Sequence, residues 1–275
     1  TADKLGDQYN RAKSGLVLGK IMFYQGNYSS ANEYLIEAGG LFESLNKELQ
    51  LAHTYIWLGA VHQYTKQYAI AYKYYRDALV KFQMLHDRDG IADAYAWIGH
   101  YYEKIEWYDS ARIYQKKAIL LYRQSGNKSG MSYVLDNLGS IYEDLGLYDS
   151  AFHNFKQAYR INHELGNVSR QIINLNNIGD IYRKERKFNQ AIELTDSALQ
   201  LSRIHKLQIQ EKYAVRDKSK IFEMMGQYDS AYYYSEIAYD LHAKILNDKV
   251  LSRMAQLNSL YESQRQQSKI EQLER

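Results

Sequence analysis

Apolar residues recur along this chain at helical spacing, in blocks that repeat every 40 residues. One block reads Leu135, Leu138, Gly139, Ile141 and Tyr142, then Tyr148, Ala151, Phe155 and Ala158. The next gives Leu175, Ile178, Gly179, Ile181, Tyr182, Phe188, Ala191 and Ala198. The pattern predicts two helices per block, joined at turns such as Leu145-Gly146-Leu147, with Asp149 and Ser150 (likewise Asp109, Ser110, Asp229 and Ser230) capping the second helix.

The register does not slip over six blocks. Gly19, Gly59, Gly99, Gly139 and Gly179 lie 40 residues apart, and Ser219 continues the series. Ala31, Ala71, Ala111, Ala151, Ala191 and Ala231 follow twelve residues later, and Ala38, Ala78, Ala118, Ala158, Ala198 and Ala238 seven after that. Small residues at these places let antiparallel helices cross at close range. The recurring aromatics Tyr28, Tyr68, Tyr108, Tyr148, Phe188 and Tyr228, together with Tyr102, Tyr142 and Tyr182, are expected in the core.

These residues resemble the tetratricopeptide repeat (TPR), whose signature runs apolar-x2-Leu-Gly-x2-Tyr, then Ala-x3-aromatic, then Ala. Two features depart from it: the period is 40 rather than 34, and the closing proline is absent. The long form is similar to the repeats of kinesin light chain and of bacterial peptide-pheromone receptors. The resemblance implies an all-α fold, a right-handed α-solenoid of six TPR helix pairs plus a C-terminal capping helix. Repeats are expected at about 12–51, 52–91, 92–131, 132–171, 172–211 and 212–251. The TPR array then occupies 1–247, and 248–275 form a cap that runs into a polar linker or coiled-coil helix. Met254, Leu257, Leu260 and Tyr261 repeat the first-helix pattern, and the seam Leu257, Tyr261, Ile270, Leu273 leaves open a dimer through this C-terminal helix.

Composition narrows the function. The chain has 275 residues, Pro 0, Cys 0 and Tyr 28, which suits continuous helices rather than a loop-rich enzyme and excludes disulfides and thiolate chemistry. The formal charge of +3 implies no nucleic-acid partner for this fragment. No run of 18 apolar residues occurs, so no membrane span is predicted within it. The eight histidines form no His-x3-His or His-Glu-x-x-His pair, and no glycine-rich phosphate loop occurs. No catalytic residue, metal ligand or cofactor is assigned, and the chain is expected not to be an enzyme.

In TPR arrays the first helices line a concave surface that holds a peptide or partner segment. Carried over residue by residue, the resemblance assigns Trp57, Trp97, His100, Asn137, Ser140, Asn176, Asn177, Asp180, Arg183, Arg216 and Asp217 to that groove. The tryptophans would be anchors, and the asparagines would pair with the N–H and C=O of an extended peptide. Leu257-Asn258-Ser259-Leu260-Tyr261-Glu262 and Lys269-Ile270-Glu271-Gln272-Leu273-Glu274 resemble the junction after the periplasmic TPRs of Bacteroidetes-type membrane-anchored regulators. That likeness implies a piece of a longer periplasmic sensor with its span beyond residue 275. A cytoplasmic pheromone receptor or interaction adaptor is the alternative.

Overall fold

The computed structural model describes residues 2–273; the side chains of residues 2–5 and of most residues beyond 248 lie outside what it describes, including those of Leu257, Leu260, Tyr261, Ile270 and Leu273. Two compact units divide the chain, Thr1–Leu165 and Gly166–Arg275. The first unit contains α1 (Ala2–Tyr24), α2 (Tyr28–Ser44), α3 (Glu48–Tyr64), α4 (Tyr68–Met84), α5 (Arg88–Lys104), α6 (Tyr108–Ser125), α7 (Lys128–Asp144) and α8 (Tyr148–Glu164). The second contains α9 (Val168–Lys184), α10 (Phe188–Ile204), α11 (Gln208–Met224) and α12 (Tyr228–Leu273). The described residues contain no strand.

In each unit consecutive helices pack as antiparallel pairs. Each second helix also lies against the next first helix, and first helices touch one another along the stack. All joints obey one rule: the backbone turns into the left-handed region every twenty residues, at Gly26, Asn46, Lys66, His86, Glu106, Gly126, Gly146, Gly166, Arg186, Lys206 and Gly226. Around Lys66 its own N–H reaches the Gln63 carbonyl at 3.0 Å and the Gln67 N–H reaches that of His62 at 2.8 Å. Two otherwise orphaned carbonyls are thereby satisfied. Gln67 then starts α4 by accepting from the Ala71 N–H at 3.0 Å, so three residues close one helix and open the next.

This geometry corrects the expected caps. The residue after each left-handed position is the N-cap (Trp107, Leu147), which places Asp109, Asp149 and Asp229 inside the first helical turn. There their charge favours the helix dipole instead of bonding as a cap. Side-chain caps occur at Asn27, Asn127 and Asn167, which accept from the N–H of Ser30, Gly130 and Arg170.

The twelfth place in the twenty-residue series is Leu246. There α12 passes unbroken from Tyr228 to Leu273. Residues 248–273, where a cap is expected, lie in the same helix as the second member of the last pair.

Close approach explains the repeated glycine. A Cβ on Gly139 would meet the Phe155 ring at 2.4 Å, and one on Gly59 the Tyr75 ring at 2.4 Å. The large residue sixteen positions on fills the room that glycine leaves. Tyr75, Tyr122, Phe42, Phe82 and Phe155 form the deepest aromatic core, with the repeated alanines between them. The aromatics expected there, Tyr28 to Phe188 in their series, are only half-buried, and Tyr228 is 71% exposed. They open the second helices, and two of them are covered by the following first helix of the same unit: Tyr28 lies 5.8 Å from Tyr64 and Tyr68 6.4 Å from Tyr101. Tyr228 has no later helix to cover it among the described residues.

Candidate functional site

The assigned groove residues fall into both units. In the first, Trp57, Trp97, His100, Asn137 and Ser140 all lie on first helices. An aromatic wall runs across α1, α3 and α5. Buried Phe23 meets Trp57 edge-on at 5.4 Å and Tyr64 at 5.1 Å; Trp57 meets Trp97 at 6.1 Å. Trp97 in turn stacks on buried Tyr75 at 5.9 Å. Both tryptophans are half-buried, Tyr64 is 48% exposed, and Tyr24, which stands 5.6 Å from Trp57, is 75% exposed. The Lys20 ammonium sits 5.2 Å from the Trp57 ring centroid, a cation–π arrangement.

Below this wall lies a polar network. The Tyr75 hydroxyl donates to Oε1 of Gln63 at 3.0 Å, and Gln63 Nε2 lies 3.0 Å from Nδ1 of His100. Because the Gln63 oxygen is already accepting, its amide nitrogen donates, and His100 must be neutral with its proton on Nε2. Burial, aided by the Lys104 charge, pushes His100 down to about 3, in keeping with this. His100 thus belongs chiefly to the interior, at 8% exposure.

A second ionisable group stands on the same helices. Burial raises Asp93 to about 6, against a hydrogen bond donated by the Tyr122 hydroxyl; Asp89 and Asp87 raise it further and Lys20 lowers it. His53, one turn before Lys20's partner Trp57 on α3, is pushed down by burial and then by Lys20. Neither Asp93 nor Tyr122 was singled out from sequence. The available signal was position: His53, Asp93 and Tyr133 share one place in successive repeats.

Asn137 is half-buried, and its Nδ2 is enclosed with no hydrogen-bond partner. Ser140, also half-buried, follows Gly139 on α7. In the second unit Asn176 is 8% exposed and its Oδ1 is likewise unmet, while Asn177 is half-buried. Asp180 is held by Arg183, whose Nε donates at 2.7 Å, and by Lys184 at 3.5 Å. Arg183 also reaches the Met224 sulfur at 3.2 Å. Arg216 is exposed and lies 3.3 Å from Asp217, which Lys220 approaches at the same distance. Burial raises Asp217, with Lys220 and Arg216 opposing. The charges of this unit are therefore largely paired with one another.

Among the described residues no group of three metal-ligating side chains comes together, and no helix is long and apolar enough to cross a membrane.

The tetratricopeptide repeat family matches residues 90–164 and 130–204. No curated protein matches the sequence. Solved structures do. BtubC (BKLC) from P. vanneervenii is 18% identical over 88% of this chain and 92% of its own, with a TM-score of 0.63. A Rap protein complexed with competence and sporulation factor is 17% identical over 86% of this chain and 76% of its own, with a TM-score of 0.63. A STAND protein with a tetratricopeptide repeat sensor, from Pyrococcus horikoshii, is 16% identical over 90% of this chain and 42% of its own, at 0.64. A forty-residue motif holds register from Gly19 to Ala238, residues 90–204 match the tetratricopeptide repeat family, and the chain shares the antiparallel helix-pair fold of these solved structures.

Proposed function

We propose that the first-helix faces hold a peptide or protein segment and that the chain is a non-catalytic interaction module. The observation that carries this is the aromatic wall of the first unit. Tyr24, Tyr64 and the two half-buried tryptophans leave large ring surfaces open on successive first helices. Exposed aromatic clusters of this kind are where binding energy concentrates. Asn137, Ser140, Asn176 and Asn177 add amide and hydroxyl groups for peptide backbone, and Asp180, Arg183, Arg216 and Asp217 add charge. A peptide library selected on the immobilised protein tests the reading, with affinities by calorimetry. Trp57→Ala should weaken a selected peptide by about tenfold or more; no selectable peptide, or indifference to Trp57→Ala, overturns it.

Within that role the chain is proposed as the periplasmic sensor region of a membrane-anchored signalling or transcriptional regulator. The junction-like segment after Tyr261 supports this, as does the fold shared with a protein whose TPRs are a sensor. The gene sequence after Arg275 tests it: a hydrophobic span should follow, and its absence refutes the anchor. The fold shared with a Rap protein that was captured with competence and sporulation factor favours the cytoplasmic receptor instead.

A further inference from the structure

Where the fifth and sixth repeats meet, two positions leave the pattern together. Leu18, Leu58, Ile98, Leu138 and Ile178 mark the place before the repeated small residue; Lys218 holds it in α11. Ile36, Arg76, Lys116 and Lys156 mark another; Asp196 holds it in α10. The two new residues meet as an ion pair. Lys218 is only 9% exposed, yet it is charged: burial works against the ammonium, but hydrogen bonds with Asp196 and Tyr234 outweigh it and hold the group above the ordinary lysine range.

A cavity of about 450 Å³ lies beside this pair, lined by residues of α10 and α12 and by Lys218 of α11. That volume is in the range of small-ligand sites. Its walls are apolar and aromatic at Leu199, Ile237, Tyr233 and Tyr234, and Arg203 brings a second cation, whose Nε donates to Glu211 at 2.8 Å. Lys218 and Arg203 are thus each paired with one carboxylate, Asp196 and Glu211. Asp196 accepts from Lys218 Nζ, and the Tyr234 ring lies 4.8 Å from the ammonium. An ammonium carries three donors, so the Asp196 bond does not exhaust it.

We propose that this cavity is a binding site for a small organic carboxylate with an aromatic or branched aliphatic body. The carboxylate would take a Lys218 N–H and the Arg203 N–H groups that Glu211 leaves, and its body would lie against Leu199, Ile237 and the two tyrosine rings. Asp196 competes for the same ammonium, so it sets the site's affinity rather than adding to it. The site is separate from the first-helix faces, and neither reading requires the other.

The test is a titration of the whole chain with phenylacetate, followed by amide chemical shifts. Neutral phenylacetamide and cationic phenethylamine serve as controls of similar shape. Saturable shifts around Lys218 and Tyr234 are expected with phenylacetate. Phenylacetamide should bind about tenfold more weakly or worse, the worth of one charge-assisted hydrogen bond. Lys218→Leu restores the repeat residue and should weaken phenylacetate by about tenfold or more. Asp196→Asn, at a half-exposed position, should tighten it by about threefold or more. No saturable shift with phenylacetate, equal binding of the neutral control, or an Asp196→Asn variant that binds no more tightly overturns the proposal.

Discussion

Gln63 and His100, on α3 and α5, share a buried 3.0 Å hydrogen bond that ties two repeats together beneath the aromatic wall. A neutral imidazole is built into that bond, and Asp93, on the same helix as His100, is a carboxyl that burial keeps close to half-protonated near pH 6. The two groups make opposite contributions to acid stability. For His100 the folded value of about 3 lies below the unfolded 6.5, so between them the unfolded chain binds more protons and stability falls as pH falls. For Asp93 the folded value of about 6 lies above the unfolded 3.8, so the folded chain binds the proton and stability rises as pH falls.

Each slope is at most about 1.4 kcal/mol per pH unit, and they offset one another between 3.8 and about 6. Asp93→Asn should therefore make the first unit more acid-sensitive than the parent, and His100→Gln less so. Trp57, Trp97 and Trp107 are the chain's tryptophans and all lie in this unit. Urea unfolding by tryptophan fluorescence at several pH values reads the three slopes. Identical slopes would refute the assignment.

The repeated glycines should not be equivalent. A Cβ at Gly139 collides with the Phe155 ring at 2.4 Å, whereas at Gly179 the nearest atom is the Thr195 hydroxyl at 3.3 Å. Gly139→Ala is expected to destabilise by about 1–3 kcal/mol. Gly179→Ala should be neutral or gain up to about 1 kcal/mol from helix propensity. Far-UV circular dichroism during urea unfolding compares them, and a larger cost at Gly179 contradicts the packing account.

The twenty-residue series of left-handed turns makes a third prediction. Lys66 and Glu106 adopt φ of 62°, where an L side chain is strained, and Gly146 adopts 71°. Lys66→Gly should stabilise by about 0.5–1 kcal/mol and Gly146→Ala should cost about 1–2 kcal/mol. Thermal melts of the two variants, which shift in opposite directions, check this.

The helix-pair fold was legible because small residues and aromatics recur in fixed register, and that register is itself the packing. Turn chemistry was less so. Asn46, Lys66, His86, Glu106, Arg186 and Lys206 take positive φ without being glycine, so the twenty-residue turn series is invisible to a search for glycines alone. The unbroken α12 was hidden for the same reason, since so many residue types take the turn that Leu246 gives no local sign of its absence. In the site, repeat position identified which helix face His100 and Asn176 occupy but not how deeply. Depth depends on neighbours from other helices, as Gln63 is to His100.

Asn176 separates a groove role from a structural one. Its Oδ1 is buried without a hydrogen bond, a condition that costs about 1–3 kcal/mol. Leucine matches asparagine closely in shape and carries no such debt. Asn176→Leu should accordingly raise the second unit's stability by about 1 kcal/mol or more, measured by urea unfolding. The same change removes an amide that a peptide backbone would engage, so affinity for a selected peptide should fall, measured by calorimetry. Opposite signs in the two measurements are what a residue kept for binding produces. A loss of stability would show instead that the amide supports the fold, and Asn176 would then leave the set of binding residues.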